Sequence, residues 1–450
     1  MSAAAQTVPA LRDDQYASSP FNSVPILMSV GGWIPDGPDQ LNSWLEKKLE
    51  ELEREPMSGR QDKSIEDFRE FIEKDPQVFM GFDLIFENVP EKDPLGRPQV
   101  KDYDTMLRLF NRFIKQAPKF DNSILVFLPF TAVLQWPMVM TNGLNILTNP
   151  QVNDHFRRIF KVWSEFLESP DSRYVLTEDD GGWLGPVAMQ HMPNFKETFI
   201  CNPDEPHWGF QSWDGFFTRH MHDGARPVTS PDDPAIITSA CESKVLRIAY
   251  NVQERDRFWI KSQPYSLTHM LNNHPEAKSF AGGTVYQAFL SPFYYHRWSS
   301  PVDGVIEKVE VVQGTYFSTG PFKEPLPVDI WEGQHPFLSQ VATRALIFIR
   351  AHDPRIGLMC FIGVGIVEVS SCEIMVAKGQ EVKKGQEIGT FHFGGSTHCL
   401  VFGPETKLDF VVQVGELIPV HQAIAHVRKP NCPDRSVSQY ERLSHQCYIC

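Results

Sequence analysis

The period of the apolar residues changes once along the chain, near residue 206, and this change restricts the possible folds more than any other feature. Before it, apolar side chains recur at helical spacing. The segment "SIEDFREFIEKD" sets Ile65, Phe68, Phe71 and Ile72 on one face, with Ser64 where an N-cap is expected. The segment "VNDHFRRIFKVWSEFLES" repeats the pattern with Val152, Phe156, Ile159, Phe160, Trp163 and Leu167. Beyond residue 206 come short β-prone runs, "SKVLRIAYNV", "GVIEKVEVVQGTYF", "RALIFIRA" and "MCFIGVGIVEVSSCEIMV", with turn signals about every eight to twelve residues. In "KGQEVKKGQEIGTFHF", Gly379 and Gly385 mark two tight turns in close succession. The pattern predicts an α+β chain. A tail over 1–38 precedes a helical domain over 39–205, then an antiparallel β domain of barrel or sandwich type over 206–427, and a polar tail over 428–450.

One β-prone run is interrupted. In "FHFGGSTHCLVF", Gly394 and Gly395 lead into Ser396 and Thr397 within an otherwise apolar strand pattern. Glycine inside a strand marks a bulge, a bend or a close approach to the backbone. With little bulk around the Gly395 carbonyl, the Ser396 hydroxyl is placed to attack it and convert the peptide bond to an ester. Elimination from that ester leaves a dehydroalanine, and hydrolysis leaves a pyruvoyl group at a new N-terminus. A pyruvoyl carbonyl condenses with amines and serves as an electron sink.

Bulk properties exclude several classes of function. The chain has 450 residues, 42% hydrophobic and 22% charged, which is ordinary globular composition. Its formal charge of -14, with no dense Lys/Arg cluster, argues against nucleic acid or an anionic membrane surface as a partner. The first twenty residues lack the basic start and apolar core of a signal peptide. The most membrane-like run, "SILVFLPFTAVLQWPMVM", is broken by Pro129, Gln135 and Pro137 and reads as a buried helix. The eight cysteines are scattered apart from Cys447 and Cys450 in the terminal "CYIC", so neither a disulfide framework nor metal-ligand spacing is visible, and a reducing, cytoplasmic setting is expected. The same tail loosely fits a prenylation pattern but lacks a polybasic run upstream.

Five elements, in order, resemble the phosphatidylserine decarboxylase family: "WGFQSWDGFFTRHMHDGARPV" from Trp208, "SACES" from Ser239, "YYHRWSSPVDGVI" from Tyr294, the "GQEVKKGQEIG" hairpin, and "FHFGGST". The helical half, including "FREFIEKDP", resembles a soluble fungal branch of that family that acts on aromatic amino acids. The resemblance implies self-cleavage between Gly395 and Ser396, giving a β chain of residues 1–395 and an α chain that starts with a covalent pyruvoyl cofactor made from Ser396. It implies an acid–histidine–serine arrangement for activating that serine, with Glu242 as the acidic member, and a role for His296 in decarboxylation. Gly394 and Thr397 flank the cleavage site. The sequence departs from the family pattern at Ser299, where a second histidine belongs. A neutral hydroxyl is no base near pH 7, so His392 and His398 become candidates, since alternation places both on the Ser396 face of a regular strand. The expected function is decarboxylation of an aromatic L-amino acid, L-tryptophan first, in fungal secondary metabolism. The alternatives are phosphatidylserine decarboxylation and an unprocessed binding protein.

Overall fold

The structure, a computed structural model, describes residues 38–428 apart from 55–59, 88, 90, 93–96, 121–127, 140–141, 257–264, 320–329, 370 and 394–395. The expected tails, with the "CYIC" terminus, lie outside the described residues except at their inner ends.

The apolar stripes of the first half form helices. The Pro150–Glu168 helix begins with Asn149 as N-cap and Pro150 in its first turn, and it buries all six stripe residues. Full burial of such side chains contributes roughly 1.5–3 kcal/mol each, more than intrinsic propensity differences supply over the same length. The Lys63–Lys74 helix buries Ile65, Phe68 and Ile72. Its cap is Asp62 rather than the expected Ser64: an Asp62 carboxylate oxygen accepts from the Ser64 amide at 2.9 Å and from the Ser64 hydroxyl at 2.7 Å. A carboxylate two residues ahead reaches the unpaired amides, and Ser64 is left inside the first turn. Within the apolar run flagged above, Pro129–Val139 is a helix, and Phe130, Leu134 and Gln135 on it are buried. No described helix is long and apolar enough to cross a membrane.

In the second half, an eight-stranded sheet runs in the order Leu417–Ile418, Ser243–Val252, Gly283–Leu290, Ser396–Phe402, Leu358–Gly365, Arg344–Ala351, Gly304–Val312, Glu381–Val382, with every pairing antiparallel. Two three-stranded sheets accompany it, one of Ile236–Thr238, Ala423–Val427 and Leu408–Phe410, the other of Arg297–Ser299, Glu387–Phe391 and Cys372–Ile374. Alternation along the strands divides the core in two. Val285, Phe289, Ile362, Cys399 and Val401 pack in one cluster with the helices, while Ala288, Leu290, Phe361, Leu400 and Phe402 pack with residues of the small sheets. The large sheet is thus the middle layer of an α+β molecule. Gly379 and Gly385 take φ of +85° and +83°, the left-handed turns expected of them.

The long apolar run from Met359 does not make one strand. It stops at Gly365, turns through the Val367–Val369 3₁₀ segment with Val367 at φ +53°, and resumes at Cys372. The turn has a non-local cause. Glu368, buried, accepts from the Phe130 and Thr131 amides at 3.1 and 3.3 Å and from the Thr131 hydroxyl, so it satisfies the first turn of the Pro129–Val139 helix from across the molecule. Burial pushes its carboxyl up to about 7, against the pull of those hydrogen bonds. The β half also holds a helix, Ile330–Val341, that the sequence pattern did not mark.

Candidate active site

Ser396 begins a strand at the centre of the large sheet. It lies opposite Leu290 on one side and Gly365 on the other, and both registers run unbroken to Phe402. The side chain is fully buried, and its hydroxyl has no hydrogen-bond partner among the described residues. A buried hydroxyl without a protein partner is uncommon and points to function. Gly394 and Gly395 lie outside the described residues. Thr397 faces the opposite way and donates to the Ala288 carbonyl at 2.8 Å.

Just before the glycines, Phe393 enters an aromatic wall, with ring centroids 4.8 Å from Trp163, 5.6 Å from Trp213 and 5.7 Å from Phe217. Phe217 stacks on His296 at 4.0 Å. The His296 carbonyl accepts from the Phe391 amide at 3.0 Å, which ties the histidine to the strand leading to Phe393. Its Nδ1 lies 2.9 Å from the Tyr294 carbonyl; a carbonyl only accepts, so Nδ1 carries the hydrogen and Nε2 is the basic nitrogen. Sequence reasoning did not single out Arg219, which sits inside the quoted "WGFQSWDGFFTRHMHDGARPV" element. Its buried guanidinium donates to the Phe293 and Tyr294 carbonyls at 2.8 and 3.1 Å and so holds the turn that carries His296. Burial pulls Arg219 down to about 10, and it stays charged at neutral pH.

Glu242 meets neither Ser396 nor a histidine in any described hydrogen bond; it accepts from Arg226 Nε at 3.0 Å. The Arg226 carbonyl lies 2.7 Å from His421 Nδ1, and His421 Nε2 lies 2.8 Å from the Ser299 hydroxyl. The residue at the departure from the family pattern is therefore paired with a histidine from elsewhere. No spacing in the sequence marks His421; the only local signal is its place after Pro419 in the turn ahead of the last strand.

The two histidines nearest Ser396 in sequence differ. His398 shares the Ser396 face, and its ring lies 5.9 Å from Tyr286 and 6.0 Å from Phe361. Neither ring nitrogen has a partner among the described residues, and burial pulls it down to about 3, which makes it a poor base. His392 precedes the strand, so alternation does not govern it. Its Nδ1 lies 3.1 Å from both Asp214 carboxylate oxygens and its Nε2 lies 3.0 Å from Glu373. Burial pulls His392 down, but the Asp214 and Glu373 carboxylates outweigh it and raise it to about 9. Glu168, Asp214 and His392 place possible ligand atoms within 4.8 Å of one another.

This ion cluster has a testable consequence. With a folded value of about 9 and an unfolded one of about 6.5, the contribution of His392 to stability is complete below the lower value and is lost as pH rises through the higher. The melting temperature of the native protein minus that of His392→Gln is expected to be largest at pH 6 and to fall towards zero above pH 9. A difference that grows with pH contradicts the assignment.

Two family models match, both described as phosphatidylserine decarboxylase, one over residues 62–192 and the other over residues 213–426. Decarboxylase iboD of Amanita muscaria is 41% identical over 321 residues, covering 67% of this chain and 92% of that protein. The chain belongs to the phosphatidylserine decarboxylase family. Within that family, the L-tryptophan decarboxylase of Psilocybe cubensis is 33% identical over 389 residues, covering 81% of this chain and 86% of the relative. Phosphatidylserine decarboxylase proenzyme 3 of Schizosaccharomyces pombe is 30% identical over 250 residues, covering 52% and 25% respectively. This family member is a decarboxylase, a carboxy-lyase, of the fungal branch.

Proposed function

We propose that the chain cuts itself between Gly395 and Ser396 and decarboxylates an aromatic L-amino acid, L-tryptophan first, with a pyruvoyl group made from Ser396. The observation that carries the reading is the buried Ser396 hydroxyl, without a partner among the described residues, at the head of a central strand and directly after two glycines in the sequence. The name of the Psilocybe relative and the proenzyme name of the yeast relative support it.

The residues present suit such a group. When formed, the pyruvoyl carbonyl takes up the substrate amine and accepts the electron pair released with CO₂. The chain's own side chains supply the rest. Trp163, Trp213, Phe217 and Phe393 form an apolar wall against the His296 ring that excludes water. Arg219 fixes the turn that orients His296, and Nε2 of His296 is the nitrogen that holds a proton for the carbon from which CO₂ departs. The products are CO₂ and the aromatic amine, with one proton added in place of the carboxylate. The reading includes β and α chains of residues 1–395 and 396–450 and action in the cytoplasm.

Purified full-length protein, without pyridoxal phosphate, is expected to release CO₂ from L-tryptophan, and borohydride with substrate present is expected to stop it by trapping the carbonyl. Turnover of phosphatidylserine vesicles with none of any free aromatic amino acid overturns the substrate reading.

A further inference from the structure

The chain from Gly365 to Cys372 pairs with both flanks of the two glycines that precede Ser396. Ser396 lies opposite Gly365, Phe391 lies opposite Cys372, and the His392 amide donates to the Ser371 carbonyl at 3.1 Å. In the sequence, Gly394 and Gly395 fall between these pairings. Three residues after Gly365, Glu368 reaches the N-terminus of the Pro129–Val139 helix. We infer that Glu368 is a positioning residue for self-cleavage: its carboxylate clamps the turn after Gly365 to that helix and so fixes the pairings on either side of the cleavage site. The inference rests on the self-cleavage reading above.

The helix lacks a cap of its own. Leu128 precedes Pro129, and neither has a side-chain oxygen to offer the amides of the first turn. One Glu368 oxygen accepts from the Phe130 and Thr131 amides at 3.1 and 3.3 Å, and the other accepts from the Thr131 hydroxyl. The partial positive charge at a helix N-terminus favours a carboxylate there. Among the described residues no cation faces Glu368, so hydrogen bonds alone offset the burial of its charge.

The turn depends on the same contact. Val367 takes φ of +53°, a conformation that a β-branched residue holds only where its surroundings impose it. Glu368 is the next residue, and its three hydrogen bonds supply that constraint.

A second route leads from the clamp to the cleavage segment. Phe130, whose amide donates to Glu368, sets its ring 5.0 Å from Trp163, and Trp163 lies 4.8 Å from Phe393. Glu368 thus links the strand partner of Ser396 to the aromatic side chain three residues before Ser396. Slack at this one carboxylate loosens both, and misplacing reacting groups by about 1 Å costs about 10²-fold in rate.

The test uses full-length precursors and follows appearance of the 396–450 chain by mass spectrometry. Glu368→Ala is expected to slow cleavage by about 10²-fold while still melting above the assay temperature. Glu368→Gln keeps an oxygen for both amides and a polar group for Thr131, and it is expected to recover most of that loss. Thr131→Val removes only the hydroxyl and is expected to slow cleavage by about tenfold, the worth of one hydrogen bond to a charged group, while Thr131→Ser restores the rate. The variant carrying both Glu368→Ala and Thr131→Val should be no slower than Glu368→Ala, because both changes open one clamp. A folded Glu368→Ala protein that cleaves at the wild-type rate overturns the inference, as do Glu368→Gln as slow as Glu368→Ala and a double variant whose losses multiply. Should Glu368→Ala not fold, the Thr131 pair decides, and Thr131→Val cleaving as fast as wild type overturns the inference. Hydrogen exchange separates the clamp from the reading it rests on. In an uncleaved Ser396→Ala background, Glu368→Ala is expected to raise exchange at the His392 amide and at the head of the Ser396–Phe402 strand, and Glu368→Gln is not. Unchanged exchange there defeats the clamp whether or not the wild type cleaves, whereas raised exchange in a chain whose wild type never cleaves defeats the self-cleavage reading instead.

Discussion

Ser396→Ala is expected to leave a single 450-residue chain that releases no CO₂ from any amino acid, a loss of more than about 10⁶-fold because rate enhancement falls back towards the uncatalysed reaction. The methyl group cannot form the ester from which the carbonyl arises, so no second route to the cofactor remains. The structure also specifies what this variant should not do. The Ser396 hydroxyl is buried without a partner among the described residues, so its removal abandons no hydrogen bond there and relieves an uncompensated polar group. The melting temperature of Ser396→Ala should therefore equal or exceed that of an uncleaved wild-type precursor. An active, two-chain Ser396→Ala protein contradicts the assignment, and an unfolded one contradicts the account of its surroundings.

His296→Gln should separate the two halves of the chemistry. Glutamine keeps an N–H to offer the Tyr294 carbonyl, so the turn held by Arg219 should persist, but no titratable nitrogen remains at the Phe217 ring. Two chains should still form, while kcat on the aromatic amino acid falls by about 10²–10⁴-fold, the contribution of a positioned proton donor. An unchanged kcat excludes His296 from the decarboxylation step. Loss of cleavage with retained folding moves its role to maturation.

What could be read in advance was local. The stripe from Val152 to Leu167 became a helix with all six residues buried because helical period and burial are properties of one segment. The glycines at 379 and 385 were legible because a tight turn asks for positive φ within a few residues. The N-cap fell at Asp62 because Ser64 and Asp62 both cap well, and reach to the amides decided between them. Non-local arrangement was not legible. The break after Gly365 depends on a carboxylate 238 residues from the amide it satisfies, and nothing in "GIVEVSS" announces Phe130 as its partner. His421 meets Ser299 across 122 residues, a distance at which composition and spacing carry no signal. Strand alternation placed His398 on the Ser396 face, but His392 lies outside the strand, where Asp214 and Glu373 decide its orientation.

Intact-mass measurement of the wild-type protein tests the central claim most directly. If the glycines exist to open the Gly395 carbonyl to Ser396, the purified protein should contain a 55-residue chain from position 396 to 450, lighter by one ammonia than the same segment with a serine amine terminus. Its partner should end in a Gly395 carboxylate. A wild-type protein that remains one 450-residue chain after prolonged incubation would contradict the account and leave the buried serine as a fold element of a binding protein.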